Sequence, residues 1–316
     1  MKENLLCSII TPTYNHESFI GDCIKSVISQ TYPFWEMIII DDGSTDNTEK
    51  IIKRFTDKRI KYIKQKNKGI WKLKETYNKG LNYSKGELIA ILEGDDFWPS
   101  DKLEKQVPLF EDKEIILSWG KVAYTDIDGK ILKVFPPNPY LYKNMTQTEV
   151  IKMLLYQIFI PPCTVVIRKK ALLSIGGFIQ PEYFPAIDYP TFLELSLLGK
   201  FHFSDSILGY WRQHSNQITK KMSVYLANGF KYAEEKFKVL PEDLKKEMNI
   251  KLYELTNSHR IMIAYSYFCE GRVLQIKGIW DKAIEDFIIS FKLGNYLTKI
   301  KSLLALVSSL MRIKLS

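Results

Sequence analysis

The chain has few cysteines. Only Cys7, Cys23, Cys163 and Cys269 occur among its 316 residues, and no two stand in CxxC spacing. That argues against a zinc site and offers no disulfide framework, so a reducing cytosol is the expected compartment. Long apolar runs are missing too. Nothing reaches the roughly 18 residues that a membrane span requires, and the opening MKENLLCSIITP is apolar too briefly before Thr11 and Pro12 to be a signal peptide. A soluble or peripheral protein is expected. Neither GxxxxGK nor GxGxxG occurs, which leaves a nucleotide kinase or a dinucleotide dehydrogenase without support. Acids disappear after Asp286, whereas Lys292, Lys299, Lys301, Arg312 and Lys314 follow it, so the last stretch is locally basic.

The formal net charge of +9 suits nucleic acid, an anionic membrane surface or a phosphorylated substrate. Its lysines are dispersed and accompany no recognition motif, so nucleic acid is not an expected partner. With 46% hydrophobic residues the chain can build one full α/β domain. Single cores usually stop growing at about 250 to 300 residues, so an appendage is expected beside it.

Within that frame the most informative stretch is Ile89 to Phe97, IAILEGDDF, where a short apolar run ends in Glu93, Asp95 and Asp96. Four successive apolar residues read as a strand buried on both faces. Carboxylates just past its end must meet a cation or solvent, because burying them unpaired is costly. Neighbouring Asp95 and Asp96 repel one another, and a divalent metal that also holds phosphate oxygens would relieve this. A surface turn leading through Pro99 and Ser100 into a helix cap is the plain alternative.

Leu5 to Ile10 reads as a first strand, broken by TPTYN, with a helix across Glu17 to Gln30 whose stripe is Phe19, Ile20, Cys23, Ile24, Val27 and Ile28. Met37 to Ile40 is a second buried strand that ends in Asp41 and Asp42. Ser44, Thr45 or Asp46 can cap a helix that continues to about Phe55. A third strand is expected over Ile60 to Lys64, then a helix from Leu73 to Tyr83 that Gly86 ends, before the strand with the acids. Buried strand, polar strand end and amphipathic helix in repetition describe βαβ units in a parallel sheet, whose ligands bind beyond the carboxyl ends. Tyr14, Asp42 and Asp95 all lie just past such ends. Further on, Trp119 to Val134 reads as a hairpin turning at Asp128 and Gly129, and Pro161 to Arg168 as another strand.

SIITPTYN (Ser8 to Asn15), IIIDDGSTDNT (Ile38 to Thr48), ILEGDDFWPSDKLEKQ (Ile91 to Gln106) and YWRQHSNQIT (Tyr210 to Thr219) occur in the order seen in family 2 glycosyltransferases. Over residues 6 to 219 the chain resembles that family. The resemblance implies a GT-A fold: an α/β, Rossmann-like nucleotide-binding sheet, mostly parallel. Residues 1 to 222 would form it, and residues 223 to 316 a helical C-terminal region.

The resemblance also implies roles. The backbone near Pro12 and the ring of Tyr14 would hold the nucleotide base, and Asp42 would accept hydrogen bonds from the uracil or ribose. Asp42 can equally cap the next helix. The family's Asp-x-Asp motif corresponds here to Glu93-Gly94-Asp95. Asp95 would bind Mn²⁺ or Mg²⁺, Glu93 would touch sugar or ribose hydroxyls, and Asp96 would fix the loop. The family's Glu-Asp pair corresponds to Ile187-Asp188, which keeps the catalytic base, Asp188, and loses the preceding acid. Asp188 can also cap the helix from Tyr189 to Leu198. His214 would sit near metal or phosphate, with Arg212 steadying the diphosphate. His16, His202 and His259 are expected to be structural.

The activity implied is inverting, metal-dependent transfer from a nucleotide-diphosphate sugar, expected to be a UDP-sugar, to a hydroxyl of a glycan or lipid-linked acceptor. The setting implied is bacterial surface-polysaccharide or lipid-linked oligosaccharide synthesis in the cytoplasm. No QxxRW motif like that of processive synthases occurs, which suggests one sugar per encounter. A catalytically inactive sugar-nucleotide-binding scaffold is the alternative, kept open by Ile187.

In the tail, Tyr267, Gly271, Leu274, Gly278, Trp280, Ala283 and Phe287 resemble one tetratricopeptide repeat, which must lean on neighbouring helices. The last helix places Leu297, Ile300, Leu303, Leu304, Val307, Leu310 and Met311 on one side. That stripe either packs on the other helices, the expected case, or makes a peripheral membrane contact.

Overall fold

The computed structural model describes residues 4–214 and 222–312. The chain divides into two compact units, one of Met1–Ile151 with Phe159–Gln217, the other of Lys152–Ile158 with Ile218–Ser316.

The first unit opens with strands and helices in alternation: β1 (Cys7–Thr13), α1 (Ile20–Ile28), β2 (Trp35–Asp41), α2 (Thr48–Ile52), β3 (Ile60–Lys64), α3 (Leu73–Tyr83) and β4 (Leu88–Ile91). These strands pair in parallel in the order β3-β2-β1-β4. Every residue of β4 is buried, as a run of aliphatic residues covered on both faces must be. Edge strand β3 is half-exposed and carries lysines, which discourage pairing with another chain. Next come α4 (Lys102–Gln106), β5 (Ile115–Thr125), β6 (Ile131–Phe135), α5 (Gln147–Tyr156), β7 (Val166–Arg168), α6 (Lys169–Ser174), α7 (Asp188–Ser196) and β8 (Lys200–Arg212). The sheet continues β4-β7-β5-β6 through antiparallel pairs, while β8 runs parallel to β5.

Several local expectations shift. β1 runs on through Pro12 to Thr13. The Pro12 carbonyl accepts from Gly94 N at 3.0 Å, on the side where β4 has already ended, so the missing N–H of proline forfeits no ladder bond there. Gly86 does not end α3. That helix closes at Ser84, and Gly86 is required because a Cβ would come within 2.3 Å of the Leu6 carbonyl oxygen. α2 stops at Ile52, short of Phe55, and Asp46 supplies the bond at its start by accepting from Thr48 N at 2.9 Å. The hairpin of β5 and β6 turns through Asp126 to Lys130, with Gly129 at φ +86°.

The second unit holds α8 (Met222–Val239), α9 (Glu242–Met248), α10 (Leu252–Ile276), α11 (Trp280–Leu293) and α12 (Tyr296–Leu310). Gly278, at φ +75°, turns α10 into α11, and a Cβ on Gly271 would stand 2.7 Å from the buried Phe287 ring. The end of α5 also belongs to this unit. His259 is buried there, 2.8 Å from both the Leu155 carbonyl and Glu234 Oε1, and stacks on Phe230 at 4.1 Å.

The last helix overturns an expectation. α12 packs through its small and polar face, Thr298, Ser302, Ala305, Ser308 and Ser309, and turns the apolar stripe outward. Gln275 Nε2 explains the inversion, because it donates to Ser308 Oγ and Ser309 Oγ at 2.8 Å each and so satisfies a buried polar seam. Small side chains also let the helices approach closely.

Candidate functional site

Beyond the carboxyl end of β4 the chain turns through Glu93, Gly94 and Asp95. Gly94 allows this path, since a Cβ there would lie 2.6 Å from Thr13 Oγ1 and 2.8 Å from His16 Nδ1. The turn is met from far along the chain. Phe97 forms an isolated antiparallel bridge with Tyr210, and their rings stack at 4.6 Å, so the end of β8 is drawn to the acidic loop. The amide of Arg212 then donates to Asp96 Oδ1 at 3.0 Å, and His214 Nε2 lies 3.0 Å from Asp95 Oδ2. Asp96 therefore fixes the loop. Burial, together with the charges of Asp95 and Glu93, raises its pKa well above the usual carboxylate range.

Asp95 is held oppositely. Burial pushes its pKa upward, but the hydrogen bond with His214 and the neighbourhood of His16 outweigh that, and the net shift is downward. His16, expected to be merely structural, comes within 3.9 Å of Asp95 through Nε2 and bonds Thr13 Oγ1 through Nδ1 at 3.2 Å. Burial lowers its pKa more than Asp95 raises it. His16 directly follows the TPTYN strand end, and that position was the only sequence signal for it.

Glu93, two residues before Asp95, takes a partner from helix α3. Its Oε1 accepts from the buried Tyr77 hydroxyl at 2.7 Å, while its buried Oε2 has no hydrogen-bond partner. Burial raises its pKa to about 7 against the Tyr77 bond, with the charges of Asp95 and Asp188 adding to the rise. Asp188 thus lies close enough to be felt at Glu93, and Tyr77 feels it as well. Asp188 is the first residue of α7, while buried Ile187 holds the cap position. Tyr77 belongs to α3 and was not anticipated from the sequence.

Of the residues expected to hold the nucleotide, Tyr14 is 45% exposed and Pro12 is half-buried at the end of β1. Asp42 does not cap α2. Its carboxylate accepts from Gln65 Nε2 at 2.7 Å, Lys68 N at 2.9 Å and Gly69 N at 3.0 Å, so it anchors the loop after β3. Asp41, its neighbour, accepts from Tyr62 Oη and Ser44 N at 2.7 Å each. Arg212 is buried and committed to the loop's underside, donating from Nε to the Asp95 carbonyl at 3.1 Å and from Nη1 to the Ile127 carbonyl at 2.5 Å. The remainder of the expected motif, Ser215 to Thr219, lies outside the described residues.

Among the described residues no three His, Cys, Asp or Glu side chains cluster around one cation position. A hard dication that keeps water and binds phosphate oxygens needs only one or two protein ligands. Neighbouring ligands of an octahedral ion bound at about 2.1 Å stand about 3 Å apart. Asp95 Oδ2 and His214 Nε2, at 3.0 Å, have that separation and are chemically suited.

The family model described as "Glycosyl transferase family 2" matches residues 8–174. A Rickettsia felis protein described as an uncharacterized glycosyltransferase is 31% identical over 223 residues, covering 69% of this chain and 36% of that one. Bacillus subtilis TuaG, described as a putative teichuronic acid biosynthesis glycosyltransferase, is 35% identical over 150 residues, 46% of this chain and 57% of that one. The chain thus spans less than two thirds of the length of these two curated relatives. Escherichia coli WfaP, a UDP-Glc:alpha-D-GlcNAc-diphosphoundecaprenol beta-1,3-glucosyltransferase, is 30% identical over 279 residues, 88% of this chain and 98% of that one. Among solved structures, S. aureus TarS 1-349 in complex with UDP-GlcNAc superposes with a TM-score of 0.64 at 18% identity, covering 98% of this chain and 88% of that one. The mannosyltransferase PcManGT of Pyrobaculum calidifontis, with GDP-Man and Mn²⁺, does so at 0.60 and 16%, covering 99% and 82%. At these identities the likeness concerns the fold, which is of the expected GT-A type.

Proposed function

Because the chain belongs to glycosyl transferase family 2, we propose that it transfers a sugar from a nucleotide diphosphate, most simply UDP, to a hydroxyl of a glycan or lipid-linked acceptor, with inversion at the anomeric carbon. One observation carries this reading: Glu93, Asp95, His214 and Asp188 gather beyond the carboxyl ends of the parallel strands although they come from three distant segments. The donor class is supported by the UDP-GlcNAc bound to TarS and by the UDP-Glc in the name of WfaP.

In this proposal Asp188 takes the proton of the acceptor hydroxyl as its oxygen attacks the anomeric carbon and the bond from that carbon to the diphosphate oxygen breaks. Attack from the face opposite the leaving group inverts the centre. Asp95 and His214 would hold Mn²⁺ or Mg²⁺, which when bound neutralises charge on the diphosphate. Manganese in PcManGT supports that choice. Pro12, Tyr14 and Asp42 form the nucleotide end, the last through the loop it anchors. Glu93 offers its free Oε2 to a sugar or ribose hydroxyl, and Arg212 acts from beneath the Asp95 loop. An acceptor like the diphosphoundecaprenol in the name of WfaP would bring the chain to the inner face of a membrane. Among the described residues no helix is long and apolar enough to cross one.

Ile187, in place of the family's acid, favours a second reading: a scaffold that binds the donor without turnover. A panel of UDP-sugars with Mn²⁺ and GlcNAc-diphosphate lipid acceptors separates the two. Transfer from one donor, lowered about 10² to 10⁴-fold in Asp188→Ala with UDP binding kept, is the expected result. Metal-dependent UDP binding should fall in Asp95→Ala. Equal transfer by wild type and Asp188→Ala would refute the assignment of the base, and tight UDP binding with no transfer to any acceptor would favour the scaffold.

A further inference from the structure

α12 is amphipathic in the opposite sense from a helix that seals a core. Its buried residues are serines, a threonine and an alanine, whereas Leu297, Leu304, Leu310 and Met311 are each more than 60% exposed. Ile300, Leu303 and Val307 are exposed between them. At about 100° per residue these side chains form one continuous stripe. The same rotation places Lys299 along one border of the stripe and Lys301 along the other, both exposed. Phe291 of α11 extends the apolar surface, since Lys299 Nζ lies 5.9 Å from its ring centroid. No acid follows Asp286 in the sequence, so nothing on α12 balances these cations.

We infer that this face of α12 lies in the interfacial layer of an anionic lipid bilayer. Aliphatic side chains in the centre would enter the boundary between headgroups and acyl chains, and the bordering lysines would extend outward to lipid phosphates. Charge selects this occupant over a second copy of the chain. Pairing two such faces would bring uncompensated lysines together, whereas anionic headgroups complement them. The inference rests on the orientation of α12 and stands whether or not the chain transfers sugar.

The test is co-sedimentation of the full chain with vesicles of phosphatidylcholine alone or with about one third phosphatidylglycerol. We expect binding to the anionic vesicles and little to the neutral ones. Lys299→Gln with Lys301→Gln should weaken it about thirtyfold, at about 1 kcal/mol per lysine. Leu297→Ser, Leu304→Ser and Leu310→Ser together should abolish it. All five positions are exposed, and an unchanged circular dichroism spectrum and unfolding midpoint would confirm that each variant folds. Failure to sediment with anionic vesicles, equal binding to neutral vesicles, or a dimer in solution that the leucine variant dissociates would each overturn the inference. UDP binding, measured in parallel, reports on the donor site independently.

Discussion

Replacing Asp42 by alanine separates two ways in which this residue can serve the nucleotide. In the structure its carboxylate, 8% exposed, accepts from Gln65 Nε2, Lys68 N and Gly69 N at 2.7 to 3.0 Å. A hydrogen bond to a charged group contributes about 1.5 to 3 kcal/mol. The freed donors lie in a partly solvated loop and regain part of this from water. The expected net loss is therefore about 2 to 4 kcal/mol of local stability, or roughly 30- to 1,000-fold faster amide exchange at 1.4 kcal/mol per tenfold. Hydrogen exchange of Lys68 and Gly69 reads it directly, and Asp42→Asn, which keeps an acceptor oxygen, should lose less. UDP affinity should decline as the loop loosens. If Lys68 and Gly69 exchange as in the wild type while UDP affinity falls tenfold or more, Asp42 contacts the base itself and the anchoring argument is refuted.

Gly94→Ala forces a Cβ to within 2.6 Å of Thr13 Oγ1 and should cost about 1 to 3 kcal/mol while disrupting metal-dependent UDP binding; calorimetric titration and urea unfolding measure both. Gly271→Ala drives a methyl against the Phe287 ring and should destabilise the helical unit by a similar amount while leaving UDP affinity unchanged. Lys102 sits fully buried, donating to the Thr164 carbonyl at 3.1 Å, and burial lowers its pKa from 10.5 to about 7. Between those values the unfolded chain binds a proton that the folded chain does not. Its contribution to stability therefore rises with pH from about 7 to 10.5, by up to about 1.4 kcal/mol per pH unit, and falls on acidification. Urea midpoints at pH 7, 8 and 9 should show a steeper rise in wild type than in Lys102→Met, and parallel slopes would refute this.

The first half of the sheet was legible because each of its strands is a short aliphatic run with a polar end. β3 and α3 occupy the spans expected, and β2 and β4 fall within a few residues of theirs. The roles of glycines and capping residues were less legible. Gly86 looked like a helix stop, but its place is decided by the Leu6 carbonyl from another part of the chain. His16 and Tyr77 belong to no motif and become site residues only through proximity to Asp95 and Glu93.

By itself the sequence determined the alternation of buried strand and amphipathic helix, the acids at the strand ends and the family, because local periodicity and contiguous motifs carry these. Tertiary structure alone decided which carboxylates meet. Asp95 and His214 are 119 positions apart, and the Phe97–Tyr210 bridge brings them together. It also decided that Asp42 holds a loop, that Lys152–Ile158 packs with the helices, and that the apolar stripe of α12 faces outward. Periodicity shows that a helix has two faces. Which face is buried depends on its partner, and here Gln275 and the serines of α12 satisfy one another across the packed side.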